Sequence, residues 1–279
     1  MKNLFALWML LVTFGVAKLP IVVSIVPEKT FVDAIGSEYV DAHVMVQPGS
    51  SPHTYEPKPT QMKQIARAKL YLSIGVEFEQ VWLPKFHDLN PALSIVNVSK
   101  GITRRAMREK HAAQTDALDP HIWTAPLNAE KLVNNTVATL QKADPTHAKA
   151  YADNGAKFLA AIQKTDATLH TLLDPLRGSA FMVFHPSWGY FADAYGLRQL
   201  PVQIAGKSPK PRELVALIKQ ARAEKVLAIF TQPEMSDTMA NVLANELHIP
   251  VVKISPMAPE WSANLLRLGR AIAGKSEQP

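Results

Sequence analysis

The segment DPTHAKAYADNGAKFLAAIQKTDATLHTLLDPLRG, residues 144–178, decides how this chain is organised. Asp144-Pro145 is a helix-start pair, and from Thr146 to about Leu176 the pattern is helical with no interior proline until Pro175 and Gly178 mark the end. At 1.5 Å per residue such a helix is about 45 Å long, enough to cross a whole domain. It reads as a rigid strut between two halves.

On both sides of the strut, short apolar runs alternate with amphipathic stretches. Before it, strands are expected at Ile21 to Val26, Ala42 to Val46, Leu70 to Ile74 and Leu93 to Val98, with helices at Lys29 to Ile35, Thr60 to Arg67 and Phe78 to His87. After it come strands at Ala180 to Phe184, Leu200 to Ile204, Val226 to Phe230 and Val251 to Ile254. Helices are expected there at Ser187 to Tyr195, Arg212 to Glu224, Thr238 to Leu247 and Trp261 to Ala273. This grammar predicts an α/β fold of two lobes, each a mostly parallel sheet flanked by helices, joined by one long connecting helix.

The first residues supply a leader. Lys2, an apolar stretch from Leu4 to Val16 and the small-residue triplet Gly15-Val16-Ala17 have the layout of a secretory signal peptide cleaved after Ala17. The expected divisions are therefore 1–17 signal peptide, 18–144 first lobe, 145–178 connecting helix and 179–279 second lobe. The product is periplasmic or secreted. The sequence has no cysteine, so it offers no acylation point for a lipoprotein, no disulfide and no thiolate ligand. The net charge of +6 raises nucleic acid as a partner, but its only dense cluster, Arg104, Arg105, Arg108 and Lys110, has no interleaved aromatics to stack on bases, so none is expected.

In open α/β sheets ligands sit beyond the carboxyl ends of the strands, and three of the nine histidines fall at such places. His53 lies in a loop stiffened by Pro48, Pro52 and Pro57; His121 follows Asp119-Pro120; His185 comes directly after the Ala180 to Phe184 strand and before Pro186. One such histidine alone would be read as a cap or a backbone partner. Three together suit Zn²⁺, for which three protein ligands and an open fourth position are a known arrangement. The spacing matches no short metal motif. His43, His87, His147, His170 and His248 are assigned to structure or solvent, and His111 to an exposed loop.

The segments VQPGSSPHTYEPKPTQM (46–62), ALDPHIWTAPLNA (117–129), MVFHPSWGYFADAYGL (182–197) and IFTQPEMSDTMANVLANELHIPVV (229–252), together with the long helix, resemble the zinc and manganese substrate-binding proteins of ABC transporters. The resemblance covers essentially the whole mature chain. It implies two α/β lobes with a metal between them, His53, His121 and His185 as ligands, a membrane permease as partner, a monomer, and no enzymatic activity. Manganese receptors usually place a carboxylate where His185 stands. Nitrogen-rich ligation favours zinc over manganese, with nickel, cobalt and copper still open.

Two departures from the family pattern matter. Ser255 stands where many members supply an aspartate as fourth ligand, which leaves that position to water or to another carboxylate such as Glu234 or Glu260 and predicts weaker affinity than in four-ligand relatives. The loop from Thr103 to Leu118, often rich in histidine in zinc receptors, is here short and basic with only His111, so no metal-scavenging role is expected of it. The competing classes are a zinc hydrolase using water on a three-histidine ion, for which no general base or Gly-x-Ser-x-Gly elbow is found, and an extracellular adhesin-like protein, for which no repeat or stalk is found.

Overall fold

A computed structural model describes residues 17–52, 54–107, 118–203, 209–233 and 237–275. The first lobe contains β1 (Leu19–Val23), α1 (Val26–Gly36), β2 (Val40–Val44), α2 (Pro59–Arg67), β3 (Leu70–Ser73), α3 (Glu77–Leu89) and β4 (Ser94–Asn97). Two helices follow, α4 (Pro126–Ala143) and α5 (Ala148–Leu173). The second lobe contains β5 (Ala180–Val183), α6 (Gly189–Ala194), β6 (Arg198–Pro201), α7 (Pro211–Ala223), β7 (Ile229–Thr231), α8 (Thr238–Leu247), β8 (Val251–Lys253) and α9 (Trp261–Ile272).

Both sheets are parallel and wound alike, in the orders β2-β1-β3-β4 and β6-β5-β7-β8. The strand order reverses between β1 and β3 in one lobe and between β5 and β7 in the other, which opens a crevice at the carboxyl end of each sheet. β1, β3 and β5 are almost continuous apolar runs because helices cover both of their faces. Most elements lie within a few residues of their expected positions. The long helix is split into α5 proper, of 26 residues, and a 3₁₀ turn at each end, Pro145–His147 and Asp174–Leu176. Its straight part is about 39 Å long.

The helix α4, of 18 residues, has no counterpart among the sequence expectations. Its buried positions Ala129, Leu132, Val133, Thr136 and Leu140 do follow the helical period, and Pro126 occupies its first turn, but the small Ala129 and the polar Thr136 interrupt the apolar stripe. α5 packs against α1, α4 and α9. Gly269 allows the α9 contact, since a Cβ there would stand 2.5 Å from Cδ2 of Leu169. One apolar core runs from β1 through α5 to α9, so the lobes are joined by packed side chains as well as by chain connection. Among the described residues no helix is long and apolar enough to cross a membrane.

At the carboxyl ends of β1 and β3, the third residues of α1 and α3, Glu28 and Glu79, reach back to their own helix starts. Glu28 Oε2 accepts hydrogen bonds from the backbone amides of Ser24 (3.0 Å) and Ile25 (3.2 Å); Glu79 accepts from those of Ile74 (2.8 Å) and Gly75 (2.7 Å) and from the Ser24 hydroxyl. Burial, and then the neighbouring Glu79 charge, push the Glu28 pKa well above the ordinary carboxylate range; burial likewise raises that of Glu79. A raised folded value gives stability that is full below the ordinary carboxylate pKa and lost as pH rises through the folded value. Glu28→Gln should therefore melt higher than wild type at pH 8 and lose that advantage near pH 4, by roughly 2–4 °C for each kcal/mol relieved. Thermal melts of both proteins across pH check this, and a variant that melts lower at every pH would contradict it.

Candidate metal centre

His185 sits two residues beyond β5, at the reversal of the second sheet. The ladder continues past the strand ends through Phe184 N to Phe230 O (3.0 Å) and Gln203 N to Phe184 O (3.0 Å), which fixes the backbone before the histidine. A tight turn, Ser187 N to His185 O at 2.8 Å, then leads into α6. The side chain is oriented from behind, because Nδ1 lies 3.1 Å from the Gln203 Oε1 acceptor. A proton held on Nδ1 leaves the lone pair of the neutral ring on Nε2.

His121 is held in the same way by a stronger group. It is 3% exposed, and Asp119 Oδ1 accepts from both its backbone amide (3.0 Å) and its Nδ1 (2.8 Å). A carboxylate behind an imidazole fixes the tautomer and raises the basicity of the opposite nitrogen, the usual support of a metal-binding histidine. The following 3₁₀ turn, Ile122–Thr124, is clamped to the other lobe: Trp123 Nε1 donates to Pro256 O (2.8 Å) and Trp261 Nε1 donates to Trp123 O (2.7 Å).

The two imidazoles, one from each side of α5 in sequence, have ring centroids 5.6 Å apart at 71°. Two imidazoles on one tetrahedral zinc ion, at 2.0–2.1 Å from it, would have centroids about 5 Å apart. They face a cavity of about 190 Å³ that is also lined by Ser50, Ser51, Pro52, Trp123, Gln232 and Met257. His53, the third expected ligand, lies outside the described residues, but its three preceding neighbours form one wall of this cavity. The loop that carries it is anchored by the buried Gln61, which donates to Val44 O (3.2 Å) and accepts from Tyr55 OH (2.7 Å). Among the described residues, no group of three or more histidines and carboxylates is placed to hold an ion, and the described centre is the pair His121 and His185.

The expected alternatives for a fourth ligand fare differently. The Ser255 hydroxyl accepts from the Met257 amide (3.1 Å) while its carbonyl accepts from Asn264 (2.8 Å), and the following residues Pro256 and Met257 reach the cavity. Glu260 is exposed at the start of α9 and does not line the cavity; Glu234 lies outside the described residues. Ser187 also lines this cavity; it is buried, and its Oγ accepts from Gln232 Nε2 at 3.0 Å. Sequence reasoning missed the supporting residues Asp119 and Gln203. Asp119 was within reach in Asp-Pro-His, since an acid two residues before a buried histidine is a local signal; Gln203 is 18 residues from His185 and had none.

Asp119→Asn tests the support directly. The amide keeps the shape but not the charge, and zinc affinity should fall by roughly 10–100-fold. Competition against a chelator measures it, and an unchanged affinity would remove Asp119 from the account.

A family model described as the zinc-uptake complex component A, periplasmic (ZnuA), matches residues 21–266. The chain is 29% identical over 244 residues to the high-affinity zinc uptake system protein ZnuA of Bacillus subtilis (strain 168), covering 82% of this chain and 76% of that protein. A crystal structure of ZnuA superposes with a TM-score of 0.85 at 34% identity, covering 92% of this chain and 99% of the other. A Mn-bound periplasmic metal-binding protein from Candidatus Liberibacter asiaticus has the same fold, with a TM-score of 0.78 at 23% identity over 91% of this chain and 98% of that one.

Proposed function

The chain belongs to the ZnuA family of periplasmic zinc-uptake components, and from that premise we propose that it captures one zinc ion with His53, His121 and His185 and hands it to the membrane permease of an ABC transporter. The observation that carries the reading is the pair His121 and His185, from different lobes, facing one cavity with a hydrogen-bond acceptor behind each Nδ1. Two imidazoles with no carboxylate among the described lining residues favour zinc over manganese, which prefers oxygen donors. The protein works as a monomeric receptor outside the cytoplasm, with lobes at 18–144 and 179–279 and the connecting helix between them. On this reading it acts as a solute-binding receptor and not as an enzyme, in keeping with its family.

Calorimetric titration of the mature, metal-stripped protein with zinc and with manganese tests this. One tight zinc site with weaker manganese binding supports the receptor; absence of any tight site refutes it. Ser255→Asp should tighten zinc by tenfold or more, about 1.4 kcal/mol, if a missing anionic ligand limits affinity. Equal affinities of the two proteins in chelator competition would show that position 255 does not reach the ion.

A further inference from the structure

We infer that Tyr190 is a positioning residue that makes the orientation of His121, in the first lobe, depend on α6 of the second, the helix that follows His185. The inference rests on the metal-centre reading above and goes beyond it by naming the part that ties the two ligands together. Asp119 is pinned from both ends. Its side chain holds His121, while its backbone carbonyl accepts from the Tyr190 hydroxyl at 2.8 Å. The same hydroxyl accepts from the backbone amide of Arg105 at 3.1 Å, so one phenol oxygen donates once and accepts once.

Arg105 and Asp119 are the two sides of a chain crossing. Asp119 N donates to Arg105 O (2.9 Å), and Ala106 and Leu118 form an antiparallel bridge beside them. Tyr190 therefore grips both strands of the crossing at once, 85 and 71 residues away in sequence. The Arg105 side chain adds a second hold, with Nη1 3.3 Å from Asp193 Oδ2 on α6 and its guanidinium carbon 5.9 Å from the Tyr190 ring centroid. Gly189 opens the space for this approach. A Cβ there would overlap Arg105 Nη1 and stand 2.8 Å from Asp119 Oδ2, so α6 begins flush against the carboxylate that supports His121. Tyr190 itself is 7% exposed and packs in the shared core, which makes the hydroxyl a fixed reference.

The chemistry follows from hydrogen-bond geometry. Without the hydroxyl, the Asp119 carbonyl loses a side-chain donor from the second lobe, and the residue whose carboxylate sets the His121 tautomer is no longer tied through it to α6. Misplacing an outer-shell partner of a metal ligand typically lowers affinity by roughly 10–100-fold.

Tyr190→Phe keeps the ring and removes only the oxygen. Wild type, Tyr190→Phe and Arg105→Met are titrated with zinc in chelator competition, their cobalt-loaded forms are compared by visible absorption, and the metal-free proteins are melted. The expected result is a zinc Kd about tenfold weaker in Tyr190→Phe with altered cobalt d–d bands, and a smaller shift of the same sign in Arg105→Met. A lowered melting temperature with unchanged Kd and unchanged cobalt spectrum would mean a purely structural role and overturn the inference, as would full equality with wild type. If wild type itself binds no zinc, the metal-centre reading fails first and is recognised as such.

Discussion

His121→Ala should abolish tight zinc binding and also lower the stability of the metal-free protein. The loss of an inner ligand is expected to exceed the roughly 100-fold upper end of outer-shell changes, because the ion loses a donor and the cavity gains no replacement. The stability cost has a separate cause. Asp119 is 2% exposed, and with the imidazole gone its Oδ1 loses one of its two donors among the described residues, which leaves a buried carboxylate less well satisfied. His185→Ala should lose zinc as completely but cost less stability, since the group left behind it, Gln203, is a neutral amide. Calorimetry and melts of both variants measure the two effects independently. Retained tight binding in either variant would remove that histidine from the site.

The second large effect is that of pH. Imidazole ligates only when neutral, and binding the ion excludes the proton, so affinity is full above the ordinary histidine pKa of about 6.5 and lost as pH falls through it. On the acid side each histidine ligand that must shed a proton costs about tenfold in affinity per pH unit, so two ligands give a limiting slope of about a hundredfold per unit and three about a thousandfold. The limiting slope of log Kd against pH counts the imidazoles, which gives a reading of His53 that does not depend on mutation. Equal affinity at pH 5 and 7.5 would contradict histidine ligation.

Much of this was legible in the sequence because parallel strands covered on both faces read as apolar runs, and because an uninterrupted helical period from Thr146 onward has few other outcomes. α4 escaped because its buried face leans on Ala129 and Thr136, whose small or polar side chains give a weak period although Pro126 marks its start. β7 runs from Ile229 rather than Val226, yet the expected start still pairs with β5, since Leu227 N donates to Ala180 O (3.1 Å) and Ala228 O accepts from Met182 N (2.9 Å). His185 was visible from its place after a strand and beside Pro186, and His121 from the preceding Asp119-Pro120, although β4 ends well before it at Asn97. What orients them was not. Gln203 behind His185, the Trp123 and Trp261 clamp, and the Tyr190 grip all join residues far apart in sequence, and only folding brings them together.

The most direct test of a histidine-held zinc ion between the lobes is anomalous diffraction at the zinc edge from crystals of the zinc-loaded protein. A single peak about 2.0–2.1 Å from Nε2 of both His121 and His185, with His53 completing the set, is the predicted result. A peak elsewhere on the molecule, or one that touches neither imidazole, would contradict it.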